Sequence, residues 1–113
     1  MVADAPRFEP ADAARIARDV FGVGASAEPL PSERDQNFLI TYDTGQRHVL
    51  KIANAGESRD VLEAQQAVMA HVATRTALCP RPVVTRDGAT IATTQGEDGR
   101  EHFVWAVTHL AGP

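Results

Sequence analysis

The chain has 113 residues, of which 43% are hydrophobic, 23% charged and 5% aromatic, with a formal net charge of -4. That length supports one domain around a single core and excludes two, while the composition excludes a disordered polypeptide. The acidic balance leaves no basic footprint for nucleic acid or an anionic membrane surface, so neither is expected as a partner.

Cys79 is the only cysteine and cannot form an internal disulfide. The N-terminus shows no basic and apolar signal segment, and no apolar run approaches the roughly 18 residues that span a bilayer. These features together predict a cytoplasmic setting.

In chain order, Pro10 to Phe21 carries Ala13, Ile16, Ala17, Val20 and Phe21 at helical spacing, with Gly22 placed to end the helix. Residues 25–30 read as a strand weakened by Pro29, and Asn37 to Tyr42 as a second strand. Asp43-Thr44-Gly45-Gln46 is a hairpin turn into a third strand, Arg47-His48-Val49-Leu50-Lys51-Ile52-Ala53-Asn54. From Glu57 to about Thr76 no Gly or Pro interrupts a run of helix formers, which predicts the longest helix. Pro80 and Pro82 end it, Val83 to Thr85 and Thr90 to Thr93 read as short strands, and Glu101 to Leu110 alternates as a final one. Short connections make the strands antiparallel. The predicted architecture over 1–113 is therefore a single α+β domain, an antiparallel sheet of about five strands with one long helix packed on it and an amino-terminal helix.

Ten of the eleven basic residues are arginine, so Lys51 is the only lysine, and it lies between Leu50 and Ile52. A compact ammonium in an apolar strand suits a phosphate ligand. An edge-strand lysine reaching to water explains the same residue. Alternation puts Lys51 on one face with Val49 and Ala53, and Leu50 and Ile52 on the other. At about 100° per residue the apolar stripe of the long helix is centred near Gln65, with Glu63 on the opposite side. Gln65 either meets Lys51 or caps a backbone group. His48, His71, His102 and His109 lack the spacing of a metal site, and Trp105 and Cys79 read as core residues.

The element order, Val49-Leu50-Lys51-Ile52, and the stretch Leu30-Pro31-Ser32-Glu33-Arg34-Asp35-Gln36-Asn37-Phe38 resemble the amino-terminal lobe of aminoglycoside phosphotransferase-like kinases, most of all their hydroxylysine kinase branch. The resemblance implies a nucleotide-binding lobe of a phosphotransferase that uses ATP or GTP with magnesium to phosphorylate a small-molecule hydroxyl of hydroxylysine, aminoglycoside or homoserine type. It implies that Lys51 contacts the α- and β-phosphates and that Val49 lies over the base. Ser32 and Arg34 would belong to the loop that covers the phosphates, and Gln65 would orient the lysine. Thr108 and Leu110 would match hinge positions that pair with the base edge through their backbone. The catalytic and metal-binding aspartates would lie in a carboxy-terminal lobe after Pro113, so no catalytic or metal-ligating residue is expected in this chain, and it alone is expected to be inactive. Lobes of this kind also occur fused to a pyridoxal-phosphate aminotransferase-like domain. The alternative is a non-catalytic interaction or regulatory module that binds no nucleotide.

Overall fold

The computed structural model describes residues 7–32, 35–76, 79–96 and 99–109. The elements are α1 (Pro10–Phe21), β1 (Ala25–Leu30), β2 (Gln36–Tyr42), β3 (Arg47–Ile52), α2 (Arg59–Ala73), β4 (Ala92–Gln95) and β5 (Glu101–Thr108). All strand pairs are antiparallel, in the order β1-β2-β3-β5-β4. This is the α+β, five-stranded, two-helix architecture expected from the sequence.

α1 occupies the residues its periodicity predicts. Pro10 opens it, where a missing N–H costs nothing, and the Glu9 N–H donates to Asp12 Oδ2 at 3.0 Å. Gly22 closes it with φ of 80° and an N–H bond to the Arg18 carbonyl at 2.7 Å. Just before α1, the Gln36 amide acts like a neighbouring strand towards Phe8: Gln36 Nε2 donates to the Phe8 carbonyl at 2.9 Å, and the Phe8 N–H donates to Gln36 Oε1. The segment leading into α1 is thereby fixed to the start of β2.

The two faces of the sheet are covered unequally. Towards α1 lie Phe38, Ile40, Tyr42, Leu50, Ile52, Val104 and Ala106, packed on Ala13, Ile16 and Ala17. The largest fully buried side chains, Phe38, Ile40, Leu50, Ile52 and Val104, are all on this side, which makes it the main core. The opposite face is thinner. Ala53, Trp105 and Val107 meet Leu62 of α2 and Ile91, with Val49, Met69 and Phe103 at the margin. Of α2 only Leu62, Gln66 and Ala73 are buried.

Three local departures from the predicted elements have identifiable causes. α2 begins at Arg59 because Ser58 is its N-cap, its side chain accepting the Val61 N–H at 3.3 Å, and it ends at Ala73 with Thr74 as C-cap. Residues 83–85 form no strand. Pro80 and Pro82 have no N–H to give, and this segment meets β5 through isolated contacts, a Pro82–Val107 bridge, a Val83 N–H bond to Ala106, a Thr108 N–H bond to Arg81 and an Arg81 N–H bond to the Thr108 hydroxyl. β4 begins at Ala92, two residues later than expected, because Thr90 is engaged with Gln66 instead of with a strand.

Candidate functional site

The register of the sheet assembles one row of side chains on the α2 face. Leu30 pairs with Asn37, Asn37 with Lys51, and Lys51 with Trp105. The next row along the strands is Glu28, Leu39, Val49 and Val107. Lys51 and Val49 share this face with α2, while Leu50 and Ile52 are buried against α1's side, as strand alternation predicts. β3 lies between β2 and β5, which excludes the edge-strand reading of its lysine.

Lys51 is half-buried, with its Nζ 5.7 Å from the centroid of the Trp105 ring. That distance allows a cation–π contact. No salt bridge joins Lys51 to a carboxylate among the described residues. The row contains two further unmatched groups: Asn37 Oδ1 and Trp105 Nε1 are both buried without a hydrogen-bond partner among the described residues. Buried polar atoms are normally paired, so this concentration around one ammonium marks the row as the chemically unusual part of the sheet.

Gln65 does not lie where the helical angles place it. It is exposed, and it is Gln66 that turns inward, Nε2 donating to the Thr90 carbonyl at 2.9 Å. The reason is that only one side of the apolar stripe, Leu62 and Met69, packs on the sheet. Val61, Val68 and Val72 remain 45%, 65% and 40% exposed, whereas Leu62, Gln66, Met69 and Ala73, spaced by three or four residues, face the sheet. Glu63 is exposed too and lines a separate cleft with Arg81 and Thr90, away from the lysine. α2 therefore supplies Lys51 with neither an amide nor a carboxylate partner.

The other predicted positions are placed as follows. Ser32 is exposed, and its hydroxyl donates to the Asp35 carbonyl. Asp35 Oδ1 accepts the Asn54 N–H at 3.3 Å, which fastens the second half of the β1–β2 connection to the end of β3, three residues from Lys51. Thr108 already uses its N–H on the Arg81 carbonyl at 2.9 Å, and its hydroxyl oxygen accepts the Arg81 N–H at 3.0 Å. Of its backbone groups only the carbonyl is left for a ligand. Arg34 and Leu110 lie outside the described residues.

Sequence reasoning passed over Asn37 and the pairing of Trp105 with Lys51. The first was within reach, because the Asp43–Gln46 turn sets Tyr42 opposite Gln46 and counting back in pairs puts Asn37 opposite Lys51. Two of the four histidines have structural roles, while His71 and His109 are exposed. His48 Nδ1 lies 3.1 Å from the Tyr42 hydroxyl and His102 Nδ1 lies 2.8 Å from the Ala53 carbonyl, both buried. Burial lowers the His48 pKa from its usual 6.5 and pushes Tyr42 up to about 12. Trp105 is a core residue, and Cys79, half-buried, lies beside the Met69 carbonyl at 3.7 Å.

The geometry has a known counterpart. The pattern of the phosphotransferase enzyme family matches residues 26–112. The chain belongs to that family. It is 29% identical to the hydroxylysine kinase of Xenopus laevis over 118 residues, covering 95% of this chain and 32% of that protein. It also superposes on the structure of the microcompartment-associated aminopropanol kinase with a TM-score of 0.75 and 20% identity, over 90% of this chain and 32% of that one. The shared fold is the amino-terminal lobe of a kinase-like phosphotransferase. The chain spans about a third of the length of the relatives it matches.

Proposed function

We propose that this lobe binds the nucleotide, ATP or GTP, of a phosphotransferase that phosphorylates a hydroxyl group on a small molecule of hydroxylysine, aminoglycoside or homoserine type. The observation that carries the proposal is Lys51, the only lysine, half-buried on a central strand and unneutralised by any carboxylate among the described residues. A structural lysine in that position would need a partner. One that meets a triphosphate gains its partner on binding.

In this reading Lys51 Nζ holds the α- and β-phosphate oxygens and fixes the angle of the chain of phosphates. Val49, with Leu39 beside it in register and Val107 on the other side, forms the apolar surface over the base. Ser32 and Arg34 would belong to the connection that covers the phosphates, and Asp35, where β2 is about to begin, is tethered to Asn54 just after β3. The carbonyl of Thr108, together with Leu110, serves the base edge. The described residues contain no group of three or more His, Cys, Asp or Glu side chains that could hold a metal ion. Magnesium accompanying the nucleotide would need carboxylate ligands, and the transfer a general base; the row of Leu30, Asn37, Lys51 and Trp105 carries neither. Both roles fall to another lobe of the complete protein. The exposed apolar stripe of α2 supports the presence of such a covering partner, whether that lobe or a fused pyridoxal-phosphate aminotransferase-like domain. The hydroxylysine kinase relative supports the class of acceptor.

Titration of the 15N-labelled chain with ATP and GTP tests the proposal. Weak, millimolar-range binding is expected, because one lobe provides half of a cleft. The largest shifts should fall on Leu39, Val49, Lys51 and Thr108, and Lys51→Met should remove them. Shifts confined to the α1 face, or unchanged binding in Lys51→Met, would refute it.

A further inference from the structure

We infer that Asn37, across the strand from Lys51, is the residue that orients it. The inference rests on the nucleotide-binding reading of Lys51 and deepens it. Three independent observations converge on the pair.

The first is register. Asn37 lies directly opposite Lys51 across β2 and β3. Hydrogen-bonded and non-hydrogen-bonded pairs alternate in an antiparallel ladder, and the Tyr42 N–H donates to the Gln46 carbonyl at 2.8 Å. Counting from that pair, Asn37 and Lys51 form a non-hydrogen-bonded pair, in which side chains stand closest, with Cα atoms about 4.5 Å apart. On the other side, the Ala53 N–H bond to the Phe103 carbonyl at 2.8 Å makes Lys51 and Trp105 a hydrogen-bonded pair, with Cα atoms about 5.5 Å apart. Asn37 is the nearer cross-strand neighbour.

The second is the complementarity of unmet needs. Among the described residues, Asn37 Oδ1 is a buried acceptor with no donor and Lys51 is an ammonium with no carboxylate partner. Rotation about the outer bonds of the lysine brings its Nζ from the Trp105 ring towards that oxygen. The third is exclusion: Gln65 and Glu63 are exposed on α2, and Gln66 is committed to Thr90.

A neutral partner has a chemical consequence. An ammonium has three donors, so one bond to Asn37 Oδ1 leaves two for phosphate oxygens. The amide fixes direction without cancelling charge, so the phosphates meet the full positive charge of Lys51. Trp105 limits movement to the opposite side. Asn37 acts through Lys51 and is a positioning residue.

Because Lys51 is the only lysine, the 15N-labelled chain has a single side-chain ammonium to follow. Its proton exchange with water and the affinity for ATP are to be measured in the wild type, Asn37→Leu and Asn37→Asp, with circular dichroism as the check on folding. Asn37→Leu should speed ammonium exchange and weaken ATP binding, each about tenfold, the value of one lost charged hydrogen bond. Asn37→Asp should restore slow exchange without restoring affinity, because its carboxylate neutralises the charge that the phosphates require. Unchanged exchange in folded Asn37→Leu would overturn the inference. Should Asn37→Leu not fold, Asn37→Asp decides alone: wild-type affinity in it would overturn the inference. Altered exchange in a chain whose wild type binds no ATP would support the Asn37–Lys51 pairing and refute the nucleotide reading.

Discussion

Gln66 and Thr90 exchange two hydrogen bonds: Gln66 Nε2 donates to the Thr90 carbonyl at 2.9 Å, and the Thr90 hydroxyl donates to Gln66 Oε1 at 2.8 Å. The pair joins α2 to the segment before β4 and sets which side of the helix meets the sheet. Neighbouring residues on α2 should therefore differ sharply in what they contribute. Gln66→Ala leaves the Thr90 carbonyl without its donor and should destabilise the fold by about 1–3 kcal/mol, whereas Gln65→Ala should stay within about 0.5 kcal/mol. Leu62, 2% exposed beside Val61, should cost about 2–4 kcal/mol as Leu62→Ala. Urea denaturation of the four variants Gln66→Ala, Gln65→Ala, Leu62→Ala and Val61→Ala checks this. Equal losses at 65 and 66 would mean that the helix is rolled differently.

Lys51 should be dispensable for folding. No salt bridge among the described residues is lost with it, and a half-buried ammonium carries a desolvation cost that a thioether does not. Lys51→Met is expected to leave thermal stability unchanged or raise it by up to about 1 kcal/mol. In the complete phosphotransferase, Lys51→Ala should lower kcat/KM by about 10²–10³-fold, as loss of a transition-state charge contact does. Calorimetry of the variant and steady-state kinetics of the complete protein read the two effects separately. A large loss of stability would make Lys51 a structural residue.

How far these assignments could be read from the sequence depends on what fixed each one. α1 was legible to the residue because Pro10 and Gly22 mark both ends with local backbone chemistry. The β2–β3 hairpin and the side of β3 that carries Lys51 followed from a turn signal and a period of two, both local. The roll of α2 was not legible. It depends on Thr90, 24 residues beyond Gln66, and on a sheet face that leaves Val61, Val68 and Val72 uncovered. The apolar residues alone, Leu62 and Met69 with the three valines, centre the stripe about 70° away from the side that packs, at roughly 100° per residue. The absence of a strand at residues 83–85 had a local signal, Pro80 and Pro82, which limited the hydrogen bonds that β-branched Val83 and Val84 could extend.

His48 and Tyr42 make stability depend on pH at both ends of the range. Burial lowers the His48 pKa, so the unfolded chain binds the proton more readily than the folded one. Its contribution is complete above its usual value of 6.5, is lost as pH falls below that, and levels off once the folded His48 also protonates. Tyr42 behaves in the opposite sense. With its pKa raised from 10.0 to about 12, its contribution is complete below 10 and is lost as pH rises towards 12. Midpoints of urea denaturation between pH 5 and 7 should fall with pH in the wild type, and the slope should diminish in His48→Leu. An unchanged slope in that variant would assign the acid dependence to other groups.

The outer stripe of α2 gives the last prediction. Val61, Val68 and Val72 stand on one side of the helix, next to a shallow groove lined by Ala64, Gln65, Met69 and Cys79. Apolar surface on this scale is unfavourable in water unless something covers it. Val68 is 65% exposed, so replacing it cannot disturb the core of this lobe. Val68→Lys should change the stability of the chain by no more than about 0.5 kcal/mol while reducing its self-association at high concentration. In the complete phosphotransferase the same charge would be driven into whatever packs on α2, and the thermal midpoint should drop by several degrees, corresponding to about 1–3 kcal/mol. Sedimentation of the chain and calorimetry of the complete protein measure the two arms. A complete protein indifferent to Val68→Lys would mean that the stripe is exposed there too, and that no further part of that protein packs on it.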